Sequence, residues 1–223
     1  MLTVTGGKGA GRGRGEAGFS LIELMVALGV TLVIMVIASQ LLAMSMFVRQ
    51  RENQRSEAVA DVQRAIQAMS REISNAGLGM NNNGLVVSDS DDISLRIRSN
   101  LNAFCGAGPP CDADTSDAGE DIVFALINNT TGGGEDNQRL ITRQDVNNAN
   151  AISALANRID SLTFDYIDEN GVTTADASDA QKVKIAVTVT LPGVGTEGQA
   201  GYQPPSQMQL VSEAVLRNTL LDK

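Results

Sequence analysis

Few residue types able to support catalysis occur in this sequence of 223 residues. It has no histidine, two cysteines and no glycine-rich phosphate-binding loop. Acid–base and nucleophilic catalysis usually depend on histidine or on an activated thiol, so the common catalytic constellations are missing. A hydrolase built on two carboxylates stays open as an alternative, although no spacing in the sequence favours it. We therefore expect that the chain is not an enzyme.

Carboxylates are the most abundant groups with potential chemistry, and calcium is the ion that they would bind. Residues 168–171 match part of a calcium loop, but its first ligand position would be Tyr166 and its twelfth Ala177. Asn170-Gly171 between two apolar runs is more typical of a hairpin turn. A second acidic group could also gather calcium: Asp112, Asp114, Asp117, Glu120 and Asp121. We favour solvated loops at both places and expect neither a metal nor a cofactor.

The two cysteines, Cys105 and Cys111, enclose a Gly-Ala-Gly-Pro-Pro turn. This arrangement predicts a small disulfide loop in an oxidising compartment, with two unpaired thiols as the alternative. Zinc is disfavoured, because these are only two soft ligands and a structural site usually takes four.

Charge and composition restrict the class of the C-terminal part. Beyond residue 76 there are nine Lys and Arg against twenty Asp and Glu. A surface of that sign repels phosphate backbones, so we expect no nucleic-acid partner. Aromatic residues make up 3% of the chain and tryptophan is absent, so the core must be built from aliphatic side chains and methionine.

Residues 24–48 form a long apolar segment, which would hold any functional site near the N-terminus. These 25 residues contain neither a charge nor a proline, and as a helix they would extend ~37 Å, enough to cross a bilayer. The disfavoured alternative is a buried core helix of a soluble protein. An ordinary secretory signal is cut after its apolar region, whereas Ala17-Gly18 precedes this one. A cut there would leave the membrane helix on the mature protein.

The helical pattern continues past the apolar run as an amphipathic segment. Apolar residues recur at spacings of three and four, which places them on one face of a helix. They are Val59, Val62, Ile66, Met69 and Ile73. Asn75-Ala76-Gly77 supplies a helix stop, so one helix is predicted from about Ser20 to Ala76, packed on a domain through this stripe.

Beyond Gly77 the apolar period falls to two, which is typical of half-buried strands. Clusters of Gly, Asn, Asp and Pro separate the runs. The predicted strands are Ile93–Arg98, Ile122–Ile127, Arg139–Arg143, Leu162–Ile167, Val183–Val189 and Met208–Leu216. We predict an α+β fold in which the long N-terminal helix packs on a C-terminal antiparallel β-sheet head.

The run Gly18-Phe19-Ser20-Leu21-Ile22-Glu23-Leu24-Met25 leads directly into the apolar span. It resembles the signature of type IV prepilins and pseudopilins, which has a Gly before the cut, an aromatic new N-terminus and Glu at the fifth mature position. The resemblance implies that prepilin peptidase cleaves between Gly18 and Phe19, and that Phe19 is N-methylated. It also implies that Glu23 pairs with the freed α-amine of Phe19 on a neighbouring subunit during assembly.

Elementary chemistry fits each of these roles. Glycine before the scissile bond lets an extended backbone enter a protease cleft without a Cβ in the way. Glu23 is the one charge in the first membrane turns, where an ionised group costs a few kcal/mol unless it is paired. The alternative is that Glu23 lies at the headgroup level and favours the helix N-terminus.

A narrower resemblance covers much of the chain. Residues 71–77 are similar to the helix–head junction of PilW-like minor pilins. Residues 159–166, 183–189 and 215–218 are similar to that family and to pseudopilin J of type II secretion. Position 40 is Gln where many major pilins have a helix-kinking proline, so local melting of this helix is not expected.

The predicted organisation is a removable leader (1–18), a transmembrane and filament-core helix (19–48), an amphipathic continuation (49–76) and a β-rich head (77–223). We expect a minor pilin that acts at or near the tip of a type IV pilus, with prepilin peptidase, other pilin subunits and membrane lipid as partners. It would cross the inner membrane once, with its head in the periplasm, before entering the filament. The alternatives are pseudopilin J of a type II secretion pseudopilus, and a single-pass anchored binding protein or hydrolase that never polymerises.

Overall fold

The computed structural model describes residues 18–103, 112, 114–128 and 139–220. Its longest element is helix α1, Leu21–Ile73, of 53 residues. The chain divides into two compact units, one ending at Ser45 and the other beginning at Met46. In the first unit, α1 is long and apolar enough to cross a membrane, and none of its most apolar window is buried. The expected membrane-scale helix is thus present.

The second half of α1 buries the predicted stripe. Val62, Ile66, Met69 and Ile73 are buried, whereas Val59 is half-buried. The regular helix ends at Ile73, three residues before the predicted end, and a turn continues to Gly77. Gly77 has a φ of +73°, and a Cβ there would lie 2.4 Å from the Asn82 carbonyl oxygen. Glycine is therefore required where the chain turns from α1 into the head.

The described part of the head contains two four-stranded sheets, in which every pair of neighbouring strands is antiparallel. The first sheet has the order β1-β2-β3-β4, with β1 Ser94–Arg98, β2 Asp121–Asn128, β3 Arg139–Asp145 and β4 Ala151–Ile159. The second has the order β6-β5-β7-β8, with β5 Ser161–Ile167, β6 Thr173–Thr174, β7 Lys182–Leu191 and β8 Ser206–Val215. The α+β fold, with a long apolar N-terminal helix and antiparallel strands, is confirmed.

All six predicted strands exist, with ends that differ by up to two residues. Along β7 the alternation is complete, since Val183, Ile185, Val187 and Val189 are all buried. At β1 the buried face begins at Leu95, because Ile93 precedes the strand and is 53% exposed. Most of the core is aliphatic, as predicted, but Phe124 and Phe164 are its two largest fully buried side chains, so the core is not built from aliphatic residues and methionine alone. The sequence did not predict β4, nor the division of the strands between two sheets.

A buried carboxylate ties β1 to β2. Asp121 is 4% exposed and accepts hydrogen bonds from Arg96 Nε at 2.7 Å and from Arg98 Nε at 2.9 Å. Arg96 also pairs with Asp89. Burial alone would raise the pKa of Asp121, but the hydrogen bonds and charges of the two guanidinium groups outweigh it and hold that pKa below its ordinary value of 3.8.

We expect Asp121→Asn to lower the free energy of unfolding by about 2 kcal/mol, the typical contribution of hydrogen bonds to charged groups. A carboxyl with a depressed pKa stabilises the fold above its unfolded pKa, and this contribution is lost as pH falls through the folded pKa. The wild-type head should therefore lose stability below about pH 4, and the variant should lack this acid-sensitive component. Urea unfolding of the detergent-solubilised chain at pH 7 and pH 3 measures both effects. A similar loss of stability on acidification in both proteins would contradict the assignment.

Candidate processing and assembly site

Gly18 and Phe19 lie just before α1, in a segment without regular structure. A Cβ added at Gly18 would meet no atom within 4 Å. The fold of the described chain therefore gives no steric reason for glycine at this position. Phe19 is 85% exposed, so this large apolar side chain has no place in the protein's own core. Both residues remain free to contact another protein.

Glu23 lies in the first turn of α1 and is exposed. A carboxylate there interacts favourably with the helix dipole. Among the residues that the structure describes, no side chain forms an ion pair or hydrogen bond with this carboxylate. No further charge follows it before Arg49. Any ionic partner for Glu23 within the apolar region must therefore come from outside this part of the chain.

The apolar side chains behind Glu23 are uncovered over most of the first unit. Large side chains from Leu21 to Leu42 are more than half exposed, as they are in a helix that contacts lipid or other helices. Two of the polar residues in this run satisfy their hydroxyls on the helix itself: Thr31 donates to the Ala27 carbonyl at 2.5 Å, and Ser39 to the Met35 carbonyl at 2.7 Å. Both hydroxyls can therefore enter an apolar environment without losing a hydrogen bond.

A contact that sequence reasoning missed lies where the apolar run ends. Arg51 donates to the Pro192 carbonyl, to the Pro204 carbonyl at 2.8 Å and to the Ser206 hydroxyl at 2.6 Å. The two proline carbonyls belong to the loop between β7 and β8, and Ser206 is the first residue of β8. Arg51 thus fixes this loop on α1 through several carbonyl and hydroxyl oxygens. An arginine among the charged residues after an apolar run gives no sign of such a contact, because its acceptors lie about 140 to 155 residues away.

The acidic residues that could have bound calcium accept hydrogen bonds from other protein groups, and Asp112 and Asp117 share the Asn102 side-chain amide. Asp168 accepts hydrogen bonds from the Asn170 and Val172 amides at 2.9 and 2.8 Å, and the strand-like pairing of Tyr166 with Thr174 closes the predicted hairpin turn. The bond from the Val172 amide is the main reason that the pKa of Asp168 is lowered. Of the other acids, Glu120 accepts from backbone amides and Asp121 from arginines. In the ranges described, no three such side chains converge to hold a metal ion.

Cys105 and Cys111 lie outside the described residues, as do residues 1–17. The disulfide stays a prediction, and we expect the two cysteines to be joined in exported protein. Such a short loop would contribute at most about 2 kcal/mol, so Cys105→Ser should leave the sheets folded. Mass spectrometry after alkylation of native, unreduced protein measures the thiols. Rapid alkylation of both would contradict the bridge.

Comparison with known families agrees with this geometry. Residues 13–39 match the family model of the prokaryotic N-terminal methylation motif, which is the type IV prepilin-like signature. No curated protein gives a significant match to the chain. The family match spans Gly18, Phe19 and Glu23 together with the first half of the apolar run. The chain therefore carries a prepilin-like N-terminus, and with the α+β layout this supports a type IV pilin-like or pseudopilin protein in general.

The motif has three consequences at the level of the class. It is typical of structural proteins rather than of enzymes. It implies processing by prepilin peptidase and assembly with other pilin subunits. The apolar part of α1, which begins within the motif, fits a protein anchored in the inner membrane.

Proposed function

We propose that the chain is a minor pilin of a type IV pilus, a structural subunit that takes part in assembly at or near the filament tip. The observation that carries this proposal is the uncovered apolar surface of α1, headed by the matched signature at residues 13–39. A helix of this kind is stable only in lipid or among similar helices. Filament assembly transfers it from the first environment to the second. The chain has no catalytic role in this scheme.

Different segments of the chain take part in maturation and in assembly. Prepilin peptidase removes residues 1–18, and Phe19 becomes the N-methylated N-terminus. Residues 19–48 then anchor the subunit in the inner membrane with the head in the periplasm, and later lie in the filament core. Glu23 pairs with the terminal amine of a neighbouring subunit and so selects the axial offset. Residues 49–76 hold the head, residues 77–223, on the helix.

Minor rather than major status is supported by two features. Residues 71–77 resemble the junction of PilW-like minor pilins, and the head is large, with two four-stranded sheets. A low-abundance subunit with a large head is best accommodated where few neighbours crowd it. Its partners are other minor and major pilin subunits, with lipid before assembly and no nucleic acid.

Pseudopilin J of a type II secretion system is the second candidate, because residues 159–166 and 183–189 resemble it as well. That protein would share the same maturation but would enter a periplasmic pseudopilus. A single-pass anchored protein that never polymerises predicts an uncut leader and no recovery with filaments.

The experiment that tests the proposal is mass spectrometry of sheared pili. We expect this chain among the minor components, with an N-methylated N-terminal peptide that starts at Phe19. Its recovery only from a periplasmic pseudopilus would favour the second candidate. A chain that keeps its leader and stays in the membrane fraction would overturn the proposal.

A further inference from the structure

Each of the two sheets has two edges, and an unprotected sheet edge is a template for pairing with another chain. Two of the four edges are covered by other parts of the head. The Val86 amide donates to the Arg96 carbonyl at 3.0 Å along β1. Along β5, β6 covers one end, and beyond it the Phe164 amide donates to the Asp92 carbonyl at 2.8 Å.

The third edge, β4, is irregular. Its register with β3 shifts between Arg139 and Leu140, and again between Ile141 and Thr142. Arg158 of this strand has a positive φ of 58°. Irregularities of this kind bend and twist an edge strand and so discourage pairing with another chain.

The fourth edge, β8, has none of these protections in the part of the head that is described. All ten residues pair with β7 without a register shift. The strand contains no proline, lysine or arginine, and its one charge is Glu213. A regular ten-residue edge without these protections is unusual in a protein that stays monomeric.

The direction of the free backbone groups follows from the register. The Leu216 amide donates to the Gln181 carbonyl at 2.9 Å, so the pair at this end is hydrogen-bonded. Hydrogen-bonded and non-hydrogen-bonded pairs alternate along an antiparallel ladder. The residues that direct both their N–H and C=O groups away from β7 are therefore Gln207, Gln209, Val211, Glu213 and Val215. Their side chains are all exposed.

We propose that the β8 edge pairs with an extended segment from the head of a neighbouring pilin subunit, which adds a strand to the sheet β6-β5-β7-β8. Only an extended polypeptide supplies alternating acceptors and donors at the two-residue repeat of such an edge. Val211 and Val215, 52% and 40% exposed, offer apolar contact to its side chains. Glu213 lies 3.9 Å from Lys182, so an apolar strand would meet no uncompensated charge.

The occupant is a subunit of another kind, because a low-abundance pilin has mostly other pilins as its neighbours in the filament. Antiparallel pairing of β8 with β8 of a second copy would be two-fold, whereas successive subunits of a filament are related by a screw operation. This inference rests on the proposed function, since assembly through α1 brings neighbouring heads together at a high effective concentration.

The test compares Val211→Pro with Val211→Thr in the full chain, expressed at matched levels with its filament system. Proline removes only an outward N–H, so β7 keeps its ladder, while threonine keeps the backbone donor. We expect incorporation of Val211→Pro into sheared filaments to fall about tenfold, because the variant loses one hydrogen bond to the added strand and the close contact with it. Val211→Thr should match the wild type, and both heads should resist protease equally.

A photo-crosslinking residue at position 211 of the otherwise unaltered chain supplies a second measurement, which stays informative if the proline variant misfolds. We expect a crosslink to a strand of another pilin subunit, identified by mass spectrometry of filaments. Equal incorporation of a folded Val211→Pro, no crosslink in filaments that contain the chain, or a crosslink to a second copy would each overturn the proposal. Absence of the wild-type chain from filaments would instead refute the proposed function.

Discussion

Replacing Gly18 with valine is expected to leave an unprocessed membrane protein. A peptidase holds its substrate in an extended form, and a β-branched side chain next to the scissile bond would obstruct that fit. The described fold does not need glycine here, because a Cβ at this position meets nothing within 4 Å. The variant should therefore fold and insert normally and lose only cleavage. Mass spectrometry of the N-terminal peptide distinguishes the leader-bearing chain from one that starts at Phe19.

Gly29→Val is the matched control for this prediction. A Cβ at Gly29 also meets no atom within 4 Å, but this glycine lies inside α1 and away from the scissile bond. We expect complete cleavage of the control at a normal membrane level. If Gly18→Val were recovered quantitatively with Phe19 at its N-terminus, the assignment of the cut to this bond would be wrong.

Local periodicity was enough to predict the helix and its buried face. An uncharged run of 25 residues and a stripe at spacings of three and four fit few structures other than a helix. The end of α1 was placed three residues late, because the Asn75 and Ala76 amides donate to carbonyls only three residues back, so a tighter turn replaces the regular helix before Gly77. Boundaries of this kind depend on hydrogen bonds that no pattern displays.

Strands with one buried face were predictable, and β4 was not. Its side chains are mostly exposed, with burial at Ala156 and Ile159. A strand with so little burial needs no alternation of apolar and polar residues, and the sequence Ala151–Ile159 has none that would predict it. The partition into two sheets depends on which strands pair across the chain. Asn83, whose side-chain amide donates to the Ala177 carbonyl at 2.7 Å, helps to fix that arrangement across 94 residues. Contacts at such separation leave no local signal.

The prepilin-like signature could be recognised from the sequence because its residues are close together in the chain. Gly18, Phe19 and Glu23 need no tertiary contact to be recognised, and residues 13–39 match the methylation motif. The sequence predicted neither the contact of Arg51 with the β7–β8 loop nor the open edge of β8. Both depend on strand order, which only the folded head determines.

Glu23→Ala is expected to leave cleavage and membrane insertion intact and to reduce entry into the filament. The two stages place different demands on this carboxylate. In the membrane monomer it can reach headgroups or water from the first turn of α1, and removing it lowers the cost of residing in hydrocarbon by a few kcal/mol. In the filament it is enclosed by neighbouring helices, and only there does it require a partner.

The expected loss of incorporation follows from the free energy of breaking an enclosed ion pair between Glu23 and the terminal amine of a neighbour. With alanine at position 23, the Phe19 ammonium of a neighbour would be enclosed without its carboxylate, and losing one partner of a buried pair costs about 3–5 kcal/mol. A loss near 3 kcal/mol corresponds to more than a hundredfold lower incorporation if assembly is at equilibrium, about tenfold for each 1.4 kcal/mol. A subunit at the very tip has no neighbour ahead of it, so a first-added subunit would show a smaller loss.

The measurement compares sheared-filament and membrane fractions of wild type and Glu23→Ala at matched expression. Glu52→Ala is the control, because Glu52 is an exposed acid of the same helix beyond the apolar run. We expect the control to assemble normally and Glu23→Gln to resemble the alanine variant, since charge rather than size is the property required. If Glu23→Ala were cleaved normally and incorporated as well as the wild type, this carboxylate would have no role in assembly. Its role would then be that of a charge that stabilises the N-terminal turn of α1.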